Sequence, residues 1–428
     1  MAEVAREMRV SGDALIPRLN GMLRLNKPPL VYWAALGGYG IFGEVSELAA
    51  RFPMALSAIA CILLTAALAA RLFGPRAGLF AGAVLATTPL YVSLGRRAET
   101  DVPMTLFIVL AMYAFERAFR EKQAGWRWLF FAAMGLSFMC KGVPGVVVPL
   151  LAAILYLLWE GRAREPLRLS FLGGLLLTAL IIAPWYALVW ATFPDAGEVF
   201  RFETLHRLGA DAPHANPFYF YFYVTPIQVL PWSLAIPLVW TALRGDEKAR
   251  RAARLPAAWL AGGLVFLTLL ETKQPHYLVP LLPAIAILIG AGIDRALASA
   301  RWPWLTGRLL ARFTAVFSLG IVLFAFFFEA RFVERDSPRG VCGRVLDEVG
   351  ERPLIYYRFD DSACTFYLKR TVHVAADEAL LMKALQRTPG AHVFTREEYA
   401  AGLELPSHRI LWTSDDYKRR MVLLGPRG

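Results

Sequence analysis

The sequence predicts a mostly α-helical, polytopic transmembrane bundle followed by a small C-terminal α/β domain. Three observations predict it. Of 428 residues, 57% are hydrophobic and the mean hydropathy is +0.45, above the roughly 45–50% apolar share of ordinary soluble domains. The excess is gathered into blocks long enough to cross a bilayer. From about residue 329 the blocks stop, and short apolar runs alternate with polar ones.

In chain order, residues 1–49 are too polar to span and form an outer-face loop with membrane-surface helices. Within them "PPLVYWAALGGYGIFG" (28–43) is apolar enough to lie along a membrane surface. Ten candidate spans follow within 50–328, at about 50–73, 77–95, 102–119, 127–140, 143–159, 169–192, 222–243, 256–271, 275–293 and 309–328. The fourth is short and closely followed by Pro144, as a kinked or tilted segment would be. "GYGIFG" (38–43) matches a dinucleotide-binding spacing, but no strand precedes it, so its glycines are read as close helix packing. In the domain at 329–428, "PLIYY" and "HVFT" read as strands. "DEALLMKALQR" (377–387) reads as an amphipathic helix with Asp377 as N-cap, and "TREEYA" (395–400) as a capping box from Thr395 to Glu398.

The net charge of +12 does not point to nucleic acid, because no basic soluble domain or binding motif is present. It reflects loop asymmetry instead. One set of alternate loops carries Arg71 and Arg76; Arg117, Arg120, Lys122 and Arg127; Arg162, Arg164 and Arg168; Arg244, Lys248, Arg250, Arg251 and Arg254; and Arg295, Arg301 and Arg308. The opposite set holds Arg96, Arg97, Lys141, Arg201, Arg207 and Lys273. The positive-inside rule makes the first set cytoplasmic. The N-terminal stretch, the 193–221 loop and the tail then face outward. Cys61 and Cys140 lie in apolar runs and read as buried thiols. Cys342 and Cys364 lie in the outward tail, where the compartment is oxidising; a bridge and two separate thiols both fit the spacing.

The outward charges sit at the mouths of spans: Lys27 in "NKPP", Arg96, Arg97, Glu99 and Asp101 in "RRAETD", Lys141 in "CKGVP", Arg201 to Arg207 in "RFETLHR", and Lys273 with His276 in "TKQPHY". Charge at the middle of a membrane helix costs roughly 2.5–3.5 kcal/mol, and less at its end, where long side chains snorkel. Singly, each has a bland reading: Asp101 as the N-cap of the helix beginning at 102, Lys141 and Lys273 as interfacial anchors, His276 as a hydrogen-bonded structural histidine. Together, cations from distant loops share one membrane face with a carboxylate. That suits a phosphorylated lipid at headgroup depth: cations hold phosphate and stabilise it as a leaving group, and a carboxylate takes a proton from a hydroxyl. An enzyme and a transporter or flippase both handle such a lipid. Charges confined to one face and the lack of an internal repeat favour the enzyme. The outer histidines lack metal-ligand spacing, so no cofactor is implied, and a loosely bound divalent cation stays open.

Five segments in order also resemble a known family: "AEVAREM…SGD…IPRLNG…NKPPLVYW" (2–33), "TDVPMTLF" (100–107), "MCKGVPGVVVPLL" (139–151), "FRFETLHRLG…NPFYFYFYV…LPWS" (200–233) and "KQPHYLVPLLPAIA" (273–286). They are similar to the GT-C glycosyltransferases of the dolichyl-phosphate-mannose protein mannosyltransferase and aminoarabinose transferase type. The resemblance implies a GT-C bundle in the inner (plasma) membrane. It implies transfer of a sugar from a polyprenyl-phosphate carrier to a lipid, glycan or protein acceptor on the non-cytoplasmic, periplasmic face, usually with inversion. It implies Lys27 near the donor phosphate and Asp101 as the acidic residue of its loop. Arg96 or Arg97 would balance the donor's charge, and Lys141, Arg207 and Lys273 would add phosphate contacts. Tyr32, Trp33, His206, His276 and Tyr277 would be wall residues, and Glu99 is the rival acid. Family members begin with a transmembrane helix and an acidic pair just before a Tyr-Ala-Glu-like segment. Here Met1 of "MAEVAREM" stands where that tyrosine belongs, and Glu3 matches the following glutamate. The expectation is a natural product longer by one helix and a short loop, about 30–40 residues, to be tested by peptide mass spectrometry. A chain starting at Met1 would be an inactive relative or would use Asp101 alone.

Overall fold

The computed structural model describes residues 1–165, 169–198, 216–244, 247–299, 306–324, 327, 337–403, 405–414 and 420–427. The chain forms two compact units. The first comprises Met1, Asp13–Pro17 and Arg24–Ser318, and the second Ala2–Gly12, Arg18–Leu23 and Leu319–Gly428.

The first unit is a helical bundle. Its described helices are α2 (Leu30–Phe42), α3 (Glu47–Phe73), α4 (Pro75–Ala86), α5 (Pro89–Gly95), α6 (Asp101–Glu121), α7 (Ala124–Lys141), α8 (Pro144–Trp159), α9 (Leu169–Thr192), α10 (Phe220–Gln228), α11 (Ile236–Leu243), α12 (Glu247–Leu269), α13 (Leu282–Ala298) and, up to Ser318, α14 (Gly307–Leu323). Among the described residues, five helical stretches are long and apolar enough to cross a membrane: Glu47–Phe73, Asp101–Glu121, Ser170–Thr192, Glu247–Leu269 and Pro275–Ala298. Two further predicted spans are bent pairs. The 77–95 span bends by 68° between α4 and α5, and the 222–243 span by 103° after α10. Pro89 and Pro231 explain the breaks, since proline lacks an N–H and clashes with the preceding turn. Predicted spans 127–140 and 143–159 form α7 and α8, which fall short of the same test. The reason for α8 is length: 16 residues rise only about 24 Å.

Helix α2 packs on α3 at Gly38, where an added Cβ would lie 2.0 Å from the Ala49 carbonyl oxygen. Gly43 ends α2 with φ of 74°. Two glycines of "GYGIFG", Gly38 and Gly43, thus serve close packing and a helix stop, while Gly40 has nothing within 4 Å. Helices α6 and α7 run antiparallel, so Lys141 returns to the Asp101 end of the bundle. At the far end, Arg71 pairs with Glu116 at 2.8 Å and Glu121 at 3.0 Å, Arg117 with Glu121 at 2.8 Å, and Arg120 with Glu116 at 2.6 Å. Arg71, Arg117 and Arg120 of one charge set and Lys141 of the other therefore occupy opposite ends of α6.

The second unit holds a five-stranded mixed sheet in the order β4-β3-β5-β7-β6. Its strands are β3 (Leu354–Tyr357), β4 (His373–Ala375), β5 (His392–Arg396), β6 (His408–Ser414) and β7 (Met421–Pro426). Strand β3 is parallel to β4 and β5, and β7 is antiparallel to β5 and β6. Both faces are covered. Leu354, Tyr356, Phe394 and Leu423 pack on one side, and Ile355, Tyr357, Val393 and Leu424 on the other. Period-2 alternation explains this division of neighbours. The Asp377 carboxylate accepts from the Leu380 N–H at 2.8 Å, capping the helix Glu378–Arg387 as predicted. The second capping box is not formed. Thr395 stays in β5 and donates its hydroxyl to the Tyr357 carbonyl at 2.8 Å, so the helix Glu397–Ala400 starts after Arg396 with no side-chain cap. Cys342 and Cys364 are bridged, with Cα atoms 5.6 Å apart. Cys61 and Cys140 are free and buried.

The expected single loop at 1–49 is divided between the units. Helix α1 (Ala2–Ser11) and the hairpin β1 (Arg18–Leu19) and β2 (Met22–Leu23) belong with the sheet. Charge burial explains it. Arg6 forks onto Glu3 at 2.6 and 2.7 Å and donates to the Lys369 carbonyl at 3.0 Å. Glu7 accepts from the N–H groups of Asn20 and Gly21 at 2.7 and 3.0 Å. These acids and this arginine are buried, whereas a membrane-surface helix would turn them to headgroups.

Candidate active site at one end of the bundle

The site is built where α6 begins and α7 ends. The turn "KGVPG" fixes it. Gly142 takes φ of 95°, a conformation that suits glycine, and its N–H reaches the Phe138 carbonyl at 2.6 Å. Pro144 then opens α8. Gly145 lets α8 lie against α7, since a Cβ there would stand 2.4 Å from the Ser137 carbonyl carbon. Ser137 donates to the Met104 carbonyl at 3.0 Å, tying α7 to α6. These contacts aim Lys141 at the first turn of α6.

There the Lys141 ammonium donates to the Asp101 carboxylate at 2.5 Å. The side chains are 11% and 4% exposed, so this is a buried, charge-assisted contact. Asp101 is not the N-cap of α6, as its position suggested. Thr100 holds that place without a side-chain cap bond, and Asp101 is the first helical residue. Its carboxylate is held by Lys141, and its backbone carbonyl accepts from the Thr105 hydroxyl at 2.7 Å. The Lys141 ammonium also lies 5.0 Å from the Tyr277 ring centroid, within range of a cation–π contact.

Lys27, Asp101, Lys141 and Tyr277 line one cavity of about 160 Å³. The rest of its wall is apolar: Met104 of α6, Pro144 and Val148 of α8, Leu267 and Leu270 at the end of α12, and Pro280 and Leu281 before α13. Lys27 stands half-buried before Pro28, Pro29 and α2. His276 packs edge-on to Tyr277 at 4.8 Å and lies within electrostatic reach of Asp101, Lys141, Lys27 and Arg97. A phosphate-sized anion with an apolar extension matches these walls.

Other predicted residues stand apart from this wall. Arg96 and Arg97 are exposed after α5, with Arg97 4.0 Å from Glu99. Glu99 thus faces its neighbour rather than the cavity. Tyr32 is fully buried in α2 and outside the cavity lining. Lys273 is buried, and its ammonium donates to the Leu270 carbonyl at 2.5 Å. It satisfies a carbonyl just past the end of α12, while its own carbonyl accepts from Asn216 at 3.0 Å. Arg207 and His206 lie outside the described residues. The residues of the apolar wall were not named from the sequence, although Pro144, Val148, Pro280 and Leu281 fall inside the quoted motifs. Among the described residues, no group of three or more His, Cys, Asp or Glu side chains is placed to hold a metal ion.

A sequence model of the family described as dolichyl-phosphate-mannose-protein mannosyltransferase matches residues 26–190, the segment that holds Lys27, Asp101 and Lys141. An uncharacterized protein of Aquifex aeolicus is 32% identical over 291 residues, covering 67% of this chain and 57% of that protein. Undecaprenyl phosphate-alpha-4-amino-4-deoxy-L-arabinose arabinosyl transferase 1 of Pseudomonas fluorescens is 31% identical over 297 residues, covering 67% of this chain and 52% of that protein. The chain thus spans a little over half the length of these relatives. The crystal structure of ArnT from Cupriavidus metallidurans bound to undecaprenyl phosphate superposes with a TM-score of 0.80 at 22% identity, covering 99% of this chain and 92% of that chain. The chain is a polytopic membrane protein with the GT-C glycosyltransferase fold, related in sequence to the aminoarabinose transferases and, over residues 26–190, to the protein mannosyltransferases.

Proposed function

We propose that the protein is an integral inner-membrane glycosyltransferase that moves a sugar from a polyprenyl-phosphate carrier to an acceptor on the non-cytoplasmic face. The observation that carries this reading is the buried Asp101–Lys141 pair in a cavity that also holds Lys27 and is otherwise apolar. The undecaprenyl phosphate bound by the Cupriavidus ArnT and the arabinosyl transferase name of the Pseudomonas relative support a polyprenyl-phosphate donor. The excess of Lys and Arg in the opposite loops supports the side.

In this reading the acceptor hydroxyl attacks the anomeric carbon of the donor sugar. The bond between that carbon and the phosphate oxygen breaks, and the polyprenyl phosphate departs with the electron pair. Lys27 and Lys141 bind that phosphate and stabilise the charge it gains. Asp101 orients the acceptor hydroxyl and takes its proton. An arriving phosphate competes for Lys141 and so frees the Asp101 carboxylate when an acceptor needs it. His276 and Tyr277 form the polar edge of the wall, and Met104, Val148 and Leu281 receive the start of the prenyl chain. Arg97 attracts the donor from outside the cavity, with Arg96 beside it.

Transfer of radiolabelled sugar from an undecaprenyl-phosphate donor by the membrane-reconstituted protein tests this reading. Transfer that disappears in Lys27→Ala and Asp101→Asn, with the protein still folded, is the expected result. Sugar-lipid translocation without any glycosidic bond formed would overturn it.

A further inference from the structure

A second and larger cavity lies at the other end of α6, between α6, α7, α8 and the start of α9. Its volume is about 880 Å³, within the roughly 300–1,000 Å³ range of ligand sites. Helix α6 places it. Asp101 begins that helix and Glu121 ends it, a rise of about 30 Å, the thickness of a bilayer's hydrocarbon core. Lys122 on this cavity's rim is therefore a membrane's width from the Asp101 cavity.

The chemistry of the lining is two-sided. Lys122, Arg127, Arg162 and Arg164 stand on the rim with a single acid, Glu165, and the wall behind them is Phe119, Phe130, Phe131 and Phe171. Phe130 and Phe131 pack at 4.8 Å, and Phe131 and Phe171 at 5.1 Å. The Arg162 guanidinium lies 4.5 Å from the Phe119 ring centroid. Among the described residues, these four rim cations form no ion pair with a carboxylate. Nearby arginines at the same end behave differently: Arg71, Arg117, Arg120 and Arg254 are each matched to a glutamate. Among the described residues, no carboxylate pairs with these rim cations, which stand above an aromatic floor with Glu165 as the one acid of the lining.

We propose that this cavity binds an anionic glycerophospholipid of the leaflet at that face. The rim cations hold the headgroup phosphate, and the phenylalanines hold the first methylenes of an acyl chain. Charge complementarity selects an anionic occupant, and the aromatic floor behind the cations selects a lipid over a free anion. The site is independent of the Asp101 cavity.

The test uses the full chain in detergent micelles, titrated with phosphatidylglycerol or with phosphatidylcholine of matched chains and read by native mass spectrometry. One basic residue near an anionic lipid headgroup is worth about a fivefold change in affinity. Phosphatidylglycerol is expected to bind at least ~10-fold more tightly than phosphatidylcholine. Lys122→Gln/Arg127→Gln and Arg162→Gln/Arg164→Gln should each weaken it by at least ~5-fold, and Lys248→Gln/Arg251→Gln, in a neighbouring cleft, should not. Glu165→Gln removes the rim acid and should tighten binding by about fivefold, a gain that misfolding cannot mimic. Equal affinity for both lipids, equal losses in the neighbouring-cleft variant, or no gain in Glu165→Gln would overturn the proposal. Displacement of the lipid by millimolar inorganic phosphate would overturn the assignment to a lipid.

Discussion

Asp101→Asn separates chemistry from architecture when it is combined with Lys141→Met. The two side chains are 4% and 11% exposed and meet at 2.5 Å. Removing one partner of a buried pair leaves the other charge uncompensated, at a cost of roughly 3–5 kcal/mol. This pair borders a cavity that admits water, so the low end, about 3 kcal/mol, is expected for Asp101→Asn alone. The double variant removes both charges with little change in volume and should recover most of that loss, a coupling of about 2 kcal/mol or more. Activity should behave differently. Loss of a proton acceptor costs about 10²–10⁴-fold in rate, and neither asparagine nor methionine supplies one. Transfer from the polyprenyl-phosphate donor is measured in proteoliposomes, with rates normalised to folded protein from thermal melts. Stability restored in the double variant without activity is the expected pattern. Activity restored along with stability would refute a chemical role for Asp101 and leave it as the counterion that keeps Lys141 buried.

Three further outcomes concern the scaffold. The Cys342–Cys364 bridge closes a sequence separation of 22 residues, for which loop entropy gives about 3 kcal/mol; Cys342→Ser/Cys364→Ser should lower the thermal stability of the sheet unit accordingly, and an unchanged melt would contradict the bridge's role. Gly38→Ala should destabilise the α2–α3 contact by about 1–3 kcal/mol, because the new Cβ meets the Ala49 carbonyl, whereas Gly40→Ala, with nothing within 4 Å, should be neutral or slightly stabilising in a melt. Burial raises the Glu3 carboxyl from 4.5 to about 7 against the opposing pull of Arg6. Between those values the folded state holds a proton that the unfolded chain releases, so this group's contribution to stability is fully present below pH 4.5 and is lost as pH rises through 7. Melts of the full chain from pH 5 to 8 should show that slope and lose it in Glu3→Gln.

Much of the bundle was legible because its signals are local. Apolar blocks marked α3, α6, α9, α12 and α13, and loop charge separated the ends of the bundle. Prolines 89 and 231 were visible too, but a hydropathy pattern has no sign for direction, so the 68° and 103° bends were not. At the site, "KPPLVYW", "TDVPMTLF" and "CKGVPG" named Lys27, Asp101 and Lys141, and the fold brings those three to one cavity. Lys273 stands outside that cavity's lining, with its ammonium on the Leu270 carbonyl; a lysine just past a helix end serves the helix's own carbonyls as readily as a ligand, and sequence does not distinguish them. The division of residues 1–49 was hidden for a different reason. Glu3, Arg6 and Glu7 look solvated in a polar stretch, and only long-range partners such as Lys369 and Asn20 show them to be buried.

On the proposed function, the physical basis of the Asp101 site is the depth at which it would work. A phosphate carried on a prenyl chain is confined to the level of the lipid headgroups, so the cations that meet it must stand at helix ends, where burial strengthens each ionic contact. The same burial makes an unpaired lysine costly before the ligand arrives. Lys141 avoids that cost by resting on Asp101, and Lys273 avoids it by resting on the Leu270 carbonyl. The two solutions differ in consequence. A backbone carbonyl given up by Lys273 is a bystander, whereas, on the proposed mechanism, a carboxylate given up by Lys141 would serve as a base beside the donor sugar. On the proposed mechanism, the buried pair would couple donor binding to acceptor activation through a single exchange of hydrogen-bond partners.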